Sequence, residues 1–480
     1  MSNIRPCTIV ALSVLSGCSL GPDFQRPRAP PTEKYTAPEQ PQATASATGE
    51  AGVAQHFVSG ADLPARWWES FRCEALNALV EDALAHSPTV LEARARLRAA
   101  HEDLTAQNRG ALYPGVDAQL AASRQKIDPA AFGFPNVPPA PPFTLYNAQV
   151  NVTYTLDVFG ANRRMLEGVG AQAEYQAYET TAAELTLAAN VVAAAIRQAD
   201  LQAQLDYTGQ MLEAQSRQLA ISEERYRAGG IALEDLQNQR SQLEQLRATL
   251  PALRAARQQV DHQLAVYTGQ PPATAAVPRF KLADLQLPAD LPLSLPSELV
   301  RRRPDVRASE ALWHQAGANI GVSTANMFPN LTISGYAGSD RTNASDIVDS
   351  FNIWSIGAKL LQPIFHAGEL HARKRSAVAA YDAAAQAYQR TVLESLQQVA
   401  DSLRILEADA LALEARALAS EQSAASYAIA RQRFDVGGIS EYALLDSRRQ
   451  ELQAALDRSR AEAQRFADTT ALLHALAGTV

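Results

Sequence analysis

From Tyr146 to Val158 apolar and polar residues alternate without a break: Tyr146, Ala148, Val150, Val152, Tyr154, Leu156 and Val158 are apolar, while Asn147, Gln149, Asn151, Thr153, Thr155 and Asp157 are polar. Successive side chains of a strand point to opposite faces, so this period of two predicts a strand over about 145–158 with one apolar and one water-facing side, as in a membrane barrel. Val116, Ala118, Leu120 and Ala122 give a weaker partner over about 115–124, joined to it by the Pro-rich loop from Asp128 to Pro142. A second pair follows at Leu331 to Ala337, about 330–338, and at Trp354, Ile356, Ala358 and Leu360, about 352–362, linked by the polar loop from Ser339 to Ser350.

Downstream of each strand pair the period lengthens to that of a helix. Proline interrupts a helix interior at about 3 kcal/mol, yet none occurs from Phe143 to Leu250 or after Pro363. Between Glu369 and Val436 there is neither Pro nor Gly, enough chain for one helix roughly 100 Å long. Within it Val392, Leu396, Val399, Leu403, Leu406, Ala410, Leu413 and Ala417 step by four and three, a coiled-coil seam. Gly437-Gly438 then permits a turn, and Tyr442 to Leu476 returns. Ala161 to Ala228, the turn at Gly229-Gly230 and Ile231 to Tyr267 do the same less cleanly, with bends expected at Gly168, Gly170, Gly209 and Pro251. The helical hairpins therefore span about 161–268 and 368–477.

These hairpins belong to a duplication. Arg225-Tyr-Arg-Ala-Gly-Gly-Ile231 matches Arg433-Phe-Asp-Val-Gly-Gly-Ile439, and Ser87-Pro88, Tyr113-Pro114, Gly160 and Gly269 match Arg303-Pro304, Phe328-Pro329, Gly368 and Gly478 in the same order. The repeats run over 65–272 and 297–480, with a linker at 273–296. Four strands cannot close a barrel, since bacterial ones need at least about eight. Three copies would supply twelve strands and two copies eight, with the trimer as the natural reading.

Composition narrows the class. Ala supplies about a fifth of the 480 residues, and a net charge of −8 lacks the basic excess of a nucleic-acid binder. No run of 18 apolar residues exists, which excludes a transmembrane helix but not a barrel. Residues 1–17 read as a secretory signal ending in Leu15-Ser16-Gly17 before Cys18, a bacterial lipobox. Cys18 would then carry a diacylglycerol and an N-acyl chain, a stable anchor in outer-membrane lipid. Ser19 behind it resembles the outer-membrane sorting rule, and residues 18–64 read as an extended, lipidated tether. Cys73 is the one other thiol of the mature chain, so no internal disulfide forms.

No catalytic site emerges. Walker, His-Glu-x-x-His and Gly-x-Ser-x-Gly patterns are absent, His366, Glu369 and His371 do not share one helical face, and Arg301 to Arg303 before Pro304 reads as a structural anchor. The chain is expected to be no enzyme, without cofactor or metal apart from the acyl chains.

Taken in order, Cys18-Ser-Leu-Gly-Pro-Asp-Phe24, Leu156-Asp-Val-Phe-Gly160 with Arg163-Arg164, Arg302-Arg-Pro-Asp-Val306 with Ile320-Gly321 and Phe328-Pro329, and the two Arg-aromatic-x-x-Gly turns resemble the TolC-like outer-membrane efflux ducts, in their OprM/NodT-like lipoprotein branch. The resemblance implies a mainly α fold with membrane β: long antiparallel hairpins forming a periplasmic α-barrel, and four strands per protomer in a trimeric twelve-stranded outer-membrane β-barrel. It implies a belt of mixed structure, in which Pro271 to Pro296 belongs. Its partners would be a periplasmic adaptor, docking at Gly229, Gly230, Gly437 and Gly438, and an inner-membrane pump of the resistance-nodulation-division type. It carries an acidic periplasmic gate onto Asp446, with Tyr442 one turn earlier on the same face. Asp235 matches the residue that latches the two hairpins together, although the Tyr and Arg that usually receive it are Phe434 and Ile439 here. A passive efflux duct is the function implied. The alternative is a non-conducting, periplasm-spanning structural lipoprotein, against which the polar row Asn147 to Thr155 argues.

Overall fold

A computed structural model describes residues 19–28, 31–32, 34–36, 41–349 and 351–478. The signal peptide and Cys18 lie outside the described residues. The strands in chain order are β1 (His56–Ser59), β2 (Gly115–Gln125), β3 (Phe143–Leu156), β4 (Asp290–Leu293), β5 (Asn330–Arg341) and β6 (Ile353–Leu361). The α-helices are α1 (Glu74–His86), α2 (Pro88–Leu112), α3 (Ala161–Arg227), α4 (Leu233–Tyr267), α5 (Pro296–Arg302), α6 (Pro304–Ala325), α7 (Glu369–Asp435) and α8 (Glu441–Leu476).

Met1–Pro27, Leu97–Gln176 and Ser309–Tyr388 make up one compact unit, of which only the described residues are discussed. It holds an antiparallel sheet in the order β2-β3-β5-β6, so the strand pairs of the two repeats join through β3 and β5. Register keeps the two faces chemically distinct. Val150 lies between Ala118 and Ala337, and Val152 between Val116 and Gly335, while Gln149 faces Gln119 and Thr155 faces Thr332. On β6 the apolar face continues through Trp354, Ile356 and Leu360. Leu120, Trp354 and Ile356 on that face are 80%, 76% and 74% exposed, so the apolar side of the sheet is not covered by the rest of the chain. The outer edges of β2 and β6 pair with no other strand among the described residues. Strand β3 stops at Leu156 because Asp157 turns to cap α3, accepting from the N–H groups of Asn162 and Arg163 at 3.0 Å each.

Arg28–Arg96, Ala177–Ala308 and Gln389–Val480 form the second, helical unit. The compact units thus cut across the duplication, because strands of both repeats pair with one another while the hairpins pack together. The core of this unit gathers Leu187 to Ala199 of α3, Val399 to Leu413 of α7, Phe466 to Leu476 of α8, and Trp67, Phe71 and Leu76. The seam of α7 is buried throughout except at the partly buried Leu396. Helices α3 and α4 continue unbroken through Gly168, Gly170, Gly209 and Pro251. At Pro251 the chain is exposed, so water can satisfy the carbonyl that loses its helical donor.

Residues 41–64 correct the reading of a free tether. Thr44, Ala51 and Gln55 are buried, β1 pairs in parallel with β4, and the Gln55 amide donates to Pro288 O and Thr469 Oγ1 at 3.2 Å each. Hydrogen bonds rather than apolar periodicity dock this segment, which is why the sequence hid it. With Phe280, Leu285, Leu287 and Leu291 it forms a belt in which strand, 3₁₀ turn and loop are mixed. Arg303 anchors the start of α6, donating to both carboxylate oxygens of Asp305 at 3.0 and 2.7 Å, to Ala475 O at 2.9 Å and to Gln398 Oε1 at 2.8 Å.

The belt also covers the fully buried Arg465, which donates to Thr44 Oγ1 at 2.8 Å and Val53 O at 2.9 Å. Beside it, burial and a hydrogen bond to Asp468 push the Asp409 carboxyl up to about 7, against a smaller opposing pull from Arg465. In the unfolded chain Asp409 ionises near its ordinary 3.8. The folded state therefore binds the extra proton between about pH 4 and 7, so stability falls across that window as pH rises and then levels off. Asp409→Asn should flatten this slope and raise the melting temperature at pH 8 by a few degrees, as read by thermal unfolding from pH 4 to 8.

Candidate functional site

Each hairpin turns through one hydrogen-bond pattern. Gly229 N–H donates to Tyr226 O at 2.9 Å and Gly230 N–H to Arg225 O at 2.8 Å; Gly437 N–H donates to Phe434 O at 2.9 Å and Gly438 N–H to Arg433 O at 2.7 Å. These are Schellman caps, in which the residue after the helix takes a left-handed conformation. Gly229 and Gly437 supply it, with φ of 72° and 74°. A Cβ on either would meet nothing within 4 Å, so these glycines serve the turn and leave an open surface. Exposed Arg225, Arg227 and Arg433 flank it, with Val436 83% exposed.

Behind the first turn, α3 carries a seam that the apolar pattern concealed. Gln204, Thr208, Met211, Gln215, Gln218 and Ser222 step by four and three and are all buried, so the heptad is intact but mostly polar. Counting period without regard to polarity would have found it. Its glutamines reach both neighbouring helices: Gln215 Nε2 donates to Gln239 Oε1 on α4 at 2.9 Å, and Gln218 Nε2 to Tyr442 O on α8 at 3.2 Å.

Tyr442 sits at the second residue of α8, just after the N-cap Ser440, whose hydroxyl accepts from Ala443 N–H at 3.2 Å. Its own hydroxyl accepts from Gln239 Nε2 at 2.8 Å. Next to it Arg217 pairs with Glu441. Tyr442 thus joins the second hairpin to the first rather than standing free. Asp235 lies one turn before Gln239, exposed and with no side-chain partner among the described residues. One turn further along the same helix, Gln239 supplies a bond to the second hairpin through Tyr442.

Asp446 is half-exposed, accepting from Arg449 Nη2 and Gln450 Nε2 at 2.9 Å each. Its charge therefore has a cation on its own helix, which the sequence reading overlooked. Arg448, on the adjoining face, donates to Gln210 Oε1 at 3.1 Å and to Glu451 Oε2 at 2.5 Å and lies 5.1 Å from the Tyr427 ring centre. The strand sheet offers a second polar lining: Asn147 Nδ2 donates to Asp340 Oδ1 at 2.8 Å, and Gln149 Nε2 to Asn151 Oδ1 at 3.0 Å.

A model of the outer membrane efflux protein family matches residues 79–270 and 295–478. The probable efflux pump outer membrane protein SepC of Pseudomonas putida is 28% identical over 448 residues, 92% of this chain and 90% of its own length. Outer membrane protein OprJ of Pseudomonas aeruginosa is 28% identical over 448 residues, 92% of this chain and 88% of its own. The pyoverdine export outer membrane protein OpmQ of that organism is 26% identical over 448 residues, 93% of this chain and 92% of its own. The solved outer-membrane channel OprN superposes with a TM-score of 0.79 at 28% identity, covering 96% of this chain and 99% of its own.

The Gln239 to Tyr442 bond generates a prediction at the tip. Gln239→Leu and Tyr442→Phe should each lower the free energy of opening there by about 0.5–1.5 kcal/mol. Native-state hydrogen exchange over residues 222–243 reads it. Gln239→Leu should cost more than Tyr442→Phe, because it also takes the acceptor from the buried Gln215. The double variant should cost clearly less than the sum of the two, because the Gln239 to Tyr442 bond is common to both.

Proposed function

This chain belongs to the outer membrane efflux protein family and is an outer-membrane efflux channel, and from that premise we propose that three copies join into one continuous duct. The family is one of channels rather than enzymes. The observation that carries the assembly is the open four-stranded sheet: unpaired edges cannot face lipid, and β2 of one copy meeting β6 of the next removes every edge when three copies close the ring. A second apolar stripe on α7 supports it. Ala408, Leu411, Ala415, Leu418, Ala425 and Ile429 recur at helical spacing and are exposed in a single chain, on a helix whose other seam is already buried. A neighbouring copy fits this stripe, as the subunits of a helical tube would.

In that duct the row Asn147, Gln149, Asn151, Thr153 and Thr155 faces the water-filled bore and Val150, Val152, Trp354 and Ile356 face lipid. A polar, hydrogen-bonded face has no use in a solid spacer, which favours conduction. Cys18 carries the acyl chains, and Gly229, Gly230, Gly437 and Gly438 form the adaptor-docking tips above an inner-membrane pump, in this reading of the resistance-nodulation-division type. The duct chooses little of its cargo, because relatives of nearly equal identity are named for toluene and for pyoverdine.

Tyr442 and Asp446 close the tip. Three carboxylates near one axis repel, and Arg449 on each copy together with the Gln239 to Tyr442 bond offsets that repulsion. Asp235 lies beside this seam but takes no part in the closing bond. Replacing Tyr442 and Asp446 with Ala should raise single-channel conductance in planar bilayers severalfold and admit large antibiotics into cells, with the complex still trimeric by detergent-corrected light scattering. Wild-type conductance in an inserted, trimeric double variant would take the gate away from these residues. A clickable fatty acid should label the wild type but not Cys18→Ala.

A further inference from the structure

Residues 19–24, directly after the lipobox cysteine, lie in a groove of the sheet-bearing unit that is built to hold them. Leu20 N–H donates to Phe159 O at 3.4 Å, just beyond the end of β3. Arg164 is 4% exposed and spends its guanidinium on this segment: Nε donates to Leu20 O at 3.0 Å, and Nη2 to Gly21 O at 3.2 Å and Asp23 Oδ1 at 2.7 Å. Nη1 is held by Glu167 Oε2 at 2.7 Å, and the other oxygen of Glu167 lies 2.9 Å from His314 Nε2. Phe24 stacks on the His314 ring with centroids 4.4 Å apart and meets Trp313 edge-on at 5.8 Å.

The fit depends on missing side chains. A Cβ on Gly160 would lie 2.8 Å from Ser19 Cα, and one on Gly321 would lie 2.6 Å from Arg164 Cγ and 2.8 Å from Leu20 O. Positive φ at Gly21 and Gly160, 100° and 78°, completes the approach. A buried guanidinium satisfied by two backbone carbonyls and two carboxylates is a costly arrangement to build for a slack tether.

We propose that this groove is a clamp for the chain's own processed N-terminus, holding residues 19–24, which directly follow the acylated position, beside the end of β3 so that lipid anchoring is passed rigidly to the strand sheet and raises the yield of trimer. Arg164 is its positioning residue. The inference rests on the reading that Cys18 is acylated. An undocked segment would leave each lipid-held protomer hanging on a flexible leash, with its sheet unoriented toward the next copy. Docking removes that freedom before the edges meet, which raises the effective concentration for assembly.

The test uses the full chain expressed in bacteria, with a nitroxide on Gln25→Cys, a clickable fatty acid and a semi-native gel for trimer. Two clamp variants act from opposite sides: Gly321→Val fills the groove, and Asp23→Ala with Phe24→Ala alters only the strap and leaves the helices and sheet untouched. Both should keep the acyl label, show a mobile nitroxide where the wild type is immobile, and lose trimer yield at least fivefold. A labelled strap variant with a mobile nitroxide and wild-type trimer yield would overturn the clamp, and so would an immobile nitroxide in Gly321→Val. Absence of label from the wild type itself would instead overturn the acylation on which the inference rests, while the nitroxide still reported docking.

Discussion

In hydrocarbon there is no water to satisfy a backbone N–H or C=O, so each must find a partner within protein. The sheet β2-β3-β5-β6 meets this demand everywhere except along its two outer edges. Its surface asks the same question a second time, because one face is apolar and exposed and the other is polar and hydrogen-bonded side to side. The proposed closed ring of copies would answer both, with lipid outside and water inside. Each repeat contributes two strands, and β3 with β5 ties the repeats into one continuous ribbon.

Away from the membrane a different balance applies. The α7 seam is apolar and buried and holds the hairpin base firmly, as removing one such Leu would cost about 2–5 kcal/mol. Toward the first turn the α3 seam changes to Gln, Thr and Ser, whose neutral hydrogen bonds each contribute about 1 kcal/mol net. A rod that stays assembled and opens at one end, as proposed above, would gain from this gradient. The weak link between Gln239 and Tyr442 lies where the proposed gate would move, and the Schellman glycines just beyond it leave the surface clear.

Much of this was legible because the physics imposes periods. Strict alternation located β3 to within two residues at each end, and the absence of Pro and Gly outlined α7. What escaped was structure held by polar contacts, which leave no hydropathic period. The packing of residues 41–64 through Gln55 and Thr44, the glutamine seam of α3 and the Arg449 partner of Asp446 all belong to that class. Gln239, one turn beyond Asp235, belongs there too, since its bond to Tyr442 depends on side-chain reach and leaves no mark in the hydropathy.

The most direct test of the account is whether the two open edges meet between copies. With a cysteine at Leu120 on β2 and a second scanned through Trp354, Ile356, Ala358 and Leu360 on β6, oxidation in isolated outer membranes should yield a covalent ladder at one register, ending at three chains. Absence of cross-linking at every register in inserted protein, or a ladder that ends at two chains, would contradict the shared twelve-stranded barrel.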